Sequence, residues 1–341
     1  MEIIVPAAGL STRFPNMRPK YTLADYTGRM MFERAIQPFV GQHHITLGLL
    51  AENEQRYAIA EYVAKTYGDA VSVVILEHLT RGPADTVYQI IQQSGIHPQA
   101  EIFIKDCDSF FDHEIQSGNY VCVSSIRDHD VLKKIWAKSF VVANDQGIIT
   151  SIIEKQVVSD KFCVGGYKFE SAQLYTRGYE KLLTAHVSEI FVSHVIETCL
   201  ADGGIFQVAP VTDYVDVGTA EDWWEYNDRA VVFCDIDGTI VRAQSRTESY
   251  ADAIPLTENI RRVQQLATNG GLVVFTTARP VDRHQEIWQM LMNLGFENFQ
   301  LITGLPNTKR ILINDYNAAN PYPRAIAVNI PRDSDTLSEL I

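Results

Sequence analysis

The run Val231-Val232-Phe233-Cys234-Asp235-Ile236-Asp237-Gly238-Thr239-Ile240 sets an apolar strand against two acids and a glycine. Side chains two apart on a strand share a face, so Asp235 and Asp237 repel one another unless a counter-charge lies near. Gly238 breaks the strand and frees the second carboxylate to swing over the first. That arrangement suits a Mg²⁺ site in which one carboxylate attacks phosphorus and another shuttles a proton.

Outward from this run, apolar strand patterns alternate with helical ones, which predicts α/β layers. Strands are expected at Ile3–Pro6, Ile45–Leu50, Val71–Leu76, Ile102–Ile104, Tyr120–Ser124, Val231–Asp235, Leu272–Thr276 and Arg310–Ile313. Helices are expected at Met31–Phe39, Asn53–Tyr67, Ala84–Gln93, Glu221–Ala230, Glu258–Thr268 and Arg283–Leu294. At 341 residues the chain exceeds one comfortable core, so two domains are expected, 1–228 and 229–341. The first would hold a mixed sheet in an α/β/α arrangement and the second a Rossmann-like parallel sheet. The join falls in the aromatic, charged stretch Trp223–Arg229, and Trp223-Trp224 reads as packing there.

A net charge of −13 argues against a general nucleic-acid binder but not against nucleotides held by local cations and metal. No apolar run approaches the length of a membrane span. The cysteines Cys107, Cys122, Cys163, Cys199 and Cys234 have neither zinc nor disulfide spacing and read as buried thiols, so a reducing cytoplasm is expected. His43-His44 lacks a partner at ligand spacing and reads as a loop pair.

At the amino end, Glu2-Ile3-Ile4-Val5 runs into Pro6-Ala7-Ala8-Gly9-Leu10-Ser11-Thr12-Arg13-Phe14, with Pro19-Lys20 beyond. Small residues let backbone N–H groups approach phosphate oxygens, and Arg13 and Lys20 supply neutralising charge. No Walker loop or dinucleotide fingerprint is present. Three later segments fall into line: Arg81-Gly82-Pro83-Ala84-Asp85-Thr86, Phe103-Ile104-Lys105-Asp106-Cys107-Asp108 and Tyr214-Val215-Asp216-Val217-Gly218-Thr219. Singly each could be a plain turn or cap. As an ordered set they resemble the nucleotidyltransferases that activate sugar phosphates or small alcohol phosphates.

The resemblance implies that Ala8, Gly9, Leu10, Ser11 and Thr12 cradle a triphosphate together with Arg13 and Lys20. Gly82 would open a helix beside the base and sugar. Asp108, a better match than Asp106, and Asp216 would complete a Mg²⁺ site. Glu154, Lys155 and Gly166 would lie on the acceptor side. An acceptor phosphate would then attack the α-phosphorus in line and release pyrophosphate, with cations offsetting the repulsion of two anions. Glu77 falls where relatives often carry the glutamine that pairs with uracil or thymine. A carboxylate only accepts hydrogen bonds, so it favours CTP, or GTP, over UTP and dTTP. Alternatively, Glu77 is simply a solvated loop residue.

Residues 229–341 resemble the haloacid dehalogenase superfamily. That implies Asp235 as nucleophile and Asp237 as general acid/base. Thr277, or alternatively Thr276, would bind a phosphoryl oxygen. Lys309 would be the cation, with Arg310 and Arg279 as substitutes because Lys309 lies close to Asp315. The metal would be Mg²⁺ on Asp235, Asp237 and Asp315. Asn314 replaces a second acid found in some members, and the motif spacing leaves no room for a large cap. The whole reads as a bifunctional enzyme, a transferase fused to a phosphatase, making precursors for surface polysaccharide. Its partners would be an NTP and a small phosphorylated sugar or polyol, with no nucleic acid and no membrane; a homo-oligomer is compatible with this. The alternative is a C-terminal half that is structural or regulatory.

Overall fold

The computed structural model describes residues 1–128, 135–183, 189–227, 231–245, 248–268, 271–313 and 325–340. Contacts divide the chain into two units, Met1–Trp224 and Glu225–Ile341. The expected join after residue 228 falls on 228–230, outside the described residues.

The first unit opens with β1 (Glu2–Pro6), α1 (Met31–Ile36), β2 (His44–Leu50), α2 (Ala51–Tyr57), α3 (Ile59–Tyr67), β3 (Val71–Leu76), α4 (Pro83–Ser94), β4 (Ile102–Lys105) and β5 (Ser109–Asp112). It continues with β6 (Tyr120–Ser125), β7 (Ser139–Ala143), β8 (Ile149–Glu154), β9 (Lys161–Phe169), α5 (Ala172–Leu182), α6 (Val192–Ala201), β10 (Gln207–Pro210), β11 (Thr212–Asp216) and α7 (Ala220–Asn227). The main sheet runs β10-β6-β9-β4-β1-β2-β3, with β7 and β8 attached through β9. The β1, β2, β3 and β4 pairings are parallel, whereas β9 lies antiparallel to β4 and β6. This is the mixed sheet expected from the sequence.

Strand alternation explains its two cores. Ile3, Val5 and Phe103 point into one apolar cluster, with Phe32, Ile36 and Val63 from α1 and α3. Ile4, Ile102 and Ile104 point into the other, with Val87, Tyr175 and Ile196 from α4, α5 and α6. Both faces of the sheet are therefore covered, as parallel strands require. From β1 the strand order departs one way to β2 and the other way to β4, which makes a switch point. Loops leaving the carboxyl ends of strands on either side of such a point form a crevice suited to ligands.

The helix expected over Asn53–Tyr67 is two helices. Ala58 adopts φ 49°, a left-handed conformation that closes α2 and starts α3. His44 opens β2 instead of lying in a loop, and its Nδ1 meets Glu2 Oε1 at 2.8 Å.

The second unit carries β12 (Val231–Asp235), α8 (Thr257–Thr268), β13 (Leu272–Thr276), α9 (His284–Asn293) and β14 (Phe299–Ile302). Its sheet is parallel throughout, in the order β12-β13-β14. Ile236, Ile240, Val263, Phe275, Ile287 and Leu291 pack its core. The strand expected at Arg310–Ile313 is not formed. Arg310 Nη1 donates to the carbonyls of Pro306 (3.1 Å) and Thr308 (2.7 Å), so the chain closes into a turn. Ile311, Leu312 and Ile313 are exposed.

Candidate active sites in the two units

In the first unit the loop after β1 leaves the sheet beside the turn after β4. Ala8 is buried, while Gly9, Leu10, Thr12 and Arg13 are exposed, so the loop presents one edge to solvent. Ser11, at φ 53°, accepts a hydrogen bond on Oγ from the Lys20 backbone N–H at 3.0 Å. That bond folds the loop back and brings Lys20 over the turn. Lys20 Nζ lies 2.5 Å from Asp108 Oδ2, and Arg13 Nη2 lies 3.4 Å from the same oxygen.

A short ribbon delivers the second acid. β11 pairs antiparallel with β5 in a register that sets Asp216 opposite Ser109. Val217 N–H donates to Asp108 O at 2.9 Å, and Gly218 N–H to Asp216 Oδ1 at 2.9 Å. A Cβ on Gly218 would lie 3.0 Å from Asp216 Oδ1, 3.3 Å from Asp108 Oδ2 and 3.3 Å from Arg13 Nη1. Both carboxylates and the guanidinium thus converge on one point, which glycine leaves open.

Lys138, at the entry to β7, was not singled out by any motif. Its Nζ ion-pairs with Asp216 Oδ2 and donates to Tyr214 Oη at 2.8 Å. Burial alone would raise Asp108, but Lys20 and Arg13 hold it well below the usual carboxylate range. Burial alone would lower Lys20, but Asp108 outweighs it and the amine sits above its ordinary value.

Lys105 lies behind this surface, fully buried, and no motif assigns it a role. Its Nζ donates to Asp106 O (2.7 Å), Ser109 O (2.6 Å) and Ser109 Oγ (2.9 Å), tying both ends of the turn that carries Asp108. Burial pulls its amine down to about 8, and burial followed by Asp108 pushes the neighbouring Asp106 up to about 6. No sequence pattern could have marked Lys105 or Lys138, because their partners come from the fold.

Gly82 caps α4 at φ 126°, and a Cβ there would lie 2.7 Å from Ile190 O. Pro83 follows at the first helical turn, where a missing N–H costs nothing. Glu77 is exposed just past β3. Glu154, at the end of β8, accepts from Ser139 Oγ at 2.5 Å and also from Ser193 Oγ. Lys155 adopts φ 56° and places its ammonium 4.8 Å from the Phe191 ring centre. Gly166 admits Phe111 and Cys122, which a Cβ would meet at 2.8 and 2.9 Å.

The paired carboxylates of Asp108 and Asp216 are hard oxygen donors of the kind Mg²⁺ takes, and that ion commonly fills its shell with waters and substrate phosphate oxygens. The donor set therefore fits a cation shared with a phosphate chain. Among the described residues no group of three or more His, Cys, Asp or Glu could hold a metal unaided.

In the second unit Gly238 adopts φ +91° and turns the chain after Asp237. Asp237 does not swing over Asp235. Its Oδ1 accepts from Arg279 Nε (3.1 Å) and Nη2 (2.9 Å), and its Oδ2 from Tyr250 Oη (2.8 Å) and Thr277 Oγ1 (3.1 Å). One carboxylate thus meets four donors, and the buried Arg279 lies against it as the counter-charge. Thr276 instead turns its Oγ1 toward Cys234 O, at 3.5 Å. Asp235 ends β12 with no ion pair among the described residues. Burial, then Asp237, raises its carboxyl, against the pull of Arg310 and Arg332. Lys309 is exposed, and Asn314 and Asp315 lie outside the described residues.

No protein-family model matches the sequence, and no curated protein matches it. Solved structures match in fold. A nucleoside-diphosphate-sugar pyrophosphorylase from Vibrio cholerae RC9 superposes with a TM-score of 0.57 at 19% identity, covering 65% of this chain and 98% of that one. The inositol-1-phosphate CTP transferase from T. maritima does so with a TM-score of 0.53 at 18% identity, covering 65% of this chain and 90% of that one. Over 65% of its length, then, the chain has the fold seen in these two nucleotidyltransferases.

Proposed function

We propose that the first unit is a Mg²⁺-dependent nucleotidyltransferase, moving a nucleotidyl group from an NTP to a sugar or polyol phosphate with release of pyrophosphate. The observation that carries this reading is the meeting of Arg13, Lys20, Asp108, Lys138 and Asp216 at the carboxyl ends of the central strands. Cations beside paired acids match the needs of the reaction. Lysine and arginine meet phosphate oxygens, while the acids hold a divalent ion that screens two approaching anions. The loop Ala8–Thr12 offers backbone to the triphosphate, and Glu154, Lys155 and Gly166 line the acceptor side. Glu77 favours CTP, then GTP, because a carboxylate pairs with a donating base edge. A pyrophosphate-release screen with Mg²⁺, the four NTPs and a panel of sugar and polyol phosphates tests it. Release with CTP or GTP and one acceptor is expected; release with UTP or dTTP alone removes the role given to Glu77, and silence with every pair discards the transferase.

For the second unit we propose phosphomonoester hydrolysis in which Asp235 attacks phosphorus and Asp237 handles the proton, with Mg²⁺ held by Asp235, Asp237 and Asp315. The acid pair at a strand end, with Thr277 beside it, supports this. A non-catalytic second unit is favoured by a different observation, the occupation of both Asp237 oxygens by four donors. Asp235→Asn separates the two readings: loss of orthophosphate release supports hydrolysis, and unchanged activities support the structural role. Together the two activities would serve precursor synthesis for surface polysaccharide in the cytoplasm.

A further inference from the structure

The cations around Asp235 and Asp237 are not equivalent. Arg279 is spent on Asp237 and on Glu248 O, which its Nη1 meets at 2.7 Å. Arg310 is turned back onto Pro306 and Thr308. Arg332, which no motif indicated, is different. Its stem lies against Gly238, where a Cβ would come within 2.8 Å of its Cγ and 3.5 Å of its Nε. Its guanidinium makes no hydrogen bond or ion pair among the described residues.

The backbone directly after Arg332 is held to the acid-bearing loop and to α8. Asp333 N–H donates to Gly238 O at 2.9 Å, and Asp333 Oδ1 accepts from Ala243 N–H at 2.6 Å. Asp335 caps α8, accepting from Glu258 N–H (3.2 Å) and Asn259 N–H (2.8 Å). The fully buried Asn259 donates to Thr239 O and Ser334 O, both at 2.8 Å, and accepts from Leu337 N–H at 2.9 Å. One side chain therefore ties the Asp-x-Asp-Gly-Thr loop to the C-terminal segment. An exposed guanidinium carried on a backbone so framed, with its stem against Gly238 of the acid-bearing loop and close enough for its charge to act on Asp235, matches a doubly charged phosphoryl group, which accepts two parallel N–H bonds.

We infer that Arg332 is the phosphate-binding cation of the second unit, in the role that the family resemblance gave to Lys309. This rests on the phosphatase reading. In the reaction, an Asp235 oxygen bonds to phosphorus as the ester P–O bond breaks, and the leaving oxygen takes a proton from Asp237. Water then attacks phosphorus and gives a proton back to Asp237 as the aspartyl P–O bond breaks, which returns the Asp235 carboxylate and orthophosphate. Arg332 bonds the non-bridging oxygens in both steps and transfers no proton.

The test uses the full chain with Mg²⁺, as wild type, Arg332→Ala and Arg332→Lys, and two readouts. The first is orthophosphate release from a panel of sugar and polyol phosphates. The second is calorimetric binding of inorganic phosphate, and the thermal melting curve of the full chain reports that the second unit of each variant is folded. The alanine variant is expected to raise KM and weaken phosphate binding by about tenfold to a hundredfold, the range of charge-assisted bonds. The lysine variant should recover only part of that, since it keeps the charge and loses the fork. If the wild type hydrolyses no ester, the phosphatase reading fails, and phosphate binding decides the role of Arg332 by itself. Loss of that binding in the alanine variant still supports the assignment. Equal binding by wild type and alanine variant, or none by the wild type, overturns it.

Discussion

Lys105 is a cation enclosed by protein, and removing it has consequences that can be signed. Lys105→Met leaves Asp106 O, Ser109 O and Ser109 Oγ without their donor; each buried group so orphaned costs about 1–3 kcal/mol. The pH dependence follows from the same burial. The folded amine sits at about 8 against 10.5 for an ordinary lysine. Between those values the unfolded chain binds more protons, so the stability contributed by Lys105 rises with pH across that window. Denaturant titrations at either end of the window should find a gap between wild type and Lys105→Met that widens at the alkaline end; a constant gap contradicts it. Lys138→Met should lower pyrophosphate release about a hundredfold, as the loss of one electrostatic contact to a transferring phosphate does, with little change in melting temperature. The acids Asp108 and Asp216 and the cations Arg13 and Lys20 were legible because each sits in a short segment whose neighbours have a local reason to be there. Lys138 and Lys105 were not, because what joins them to this cluster is a partner 78 residues away for one and complete burial for the other.

At the scale of elements, Gly82 is the hinge between β3 and α4. Its φ of 126° suits glycine alone, and Ile190 O stands where a side chain would begin. Gly82→Ala should cost about 1–3 kcal/mol for backbone strain, read as a lower melting temperature, and should raise KM for the nucleotide. Normal stability and KM would count against the tight approach of this turn to Ile190. Continuous apolar runs announced β1, β2, β4, β6 and β13, which are buried almost throughout, as a strand covered on both faces requires; β3 and β12 were announced by the same composition, although Ser72, Val231 and Phe233 are exposed. The strands β5, β7, β8, β10 and β11 mix polar and apolar residues and depend on their partners for definition. The run Ile311–Ile313 fails in the opposite sense. It is as apolar as any strand, yet Arg310 bonds to its own turn and the run stays exposed. Apolar content announces the capacity to be buried, and the pairing partner decides whether it is used.

For the whole molecule, the five thiols give a measure of intactness. All are free and buried. Burial pushes Cys107 up to about 12 and Cys199 up to about 11, and raises Cys122, Cys163 and Cys234 as well. Thiolate is the reactive form, so a disulfide reagent at neutral pH should modify the native protein slowly and all five cysteines at once on unfolding. Fast modification of one thiol in native buffer would mark local opening near it. Contacts divide the chain into two units, and the nine-stranded sheet gives the first its nucleotidyltransferase-like fold. Among the described residues, no helix is long and apolar enough to cross a membrane.

The two lysine–carboxylate pairs in the first unit also set how its ligands depend on each other. Lys20 holds Asp108 and Lys138 holds Asp216, so a divalent ion must compete with two ammonium groups for its oxygens. On the proposed transferase reading, a triphosphate would draw those ammonium groups toward itself and release the acids to the ion. The binding would then be heterotropic and positive, with each ligand clearing the other's obstacle and the coupling equal in both directions. Lys138→Met should therefore split the two affinities: Mn²⁺ alone binds more tightly than to wild type, while the nucleotide binds more weakly and gains less from the ion.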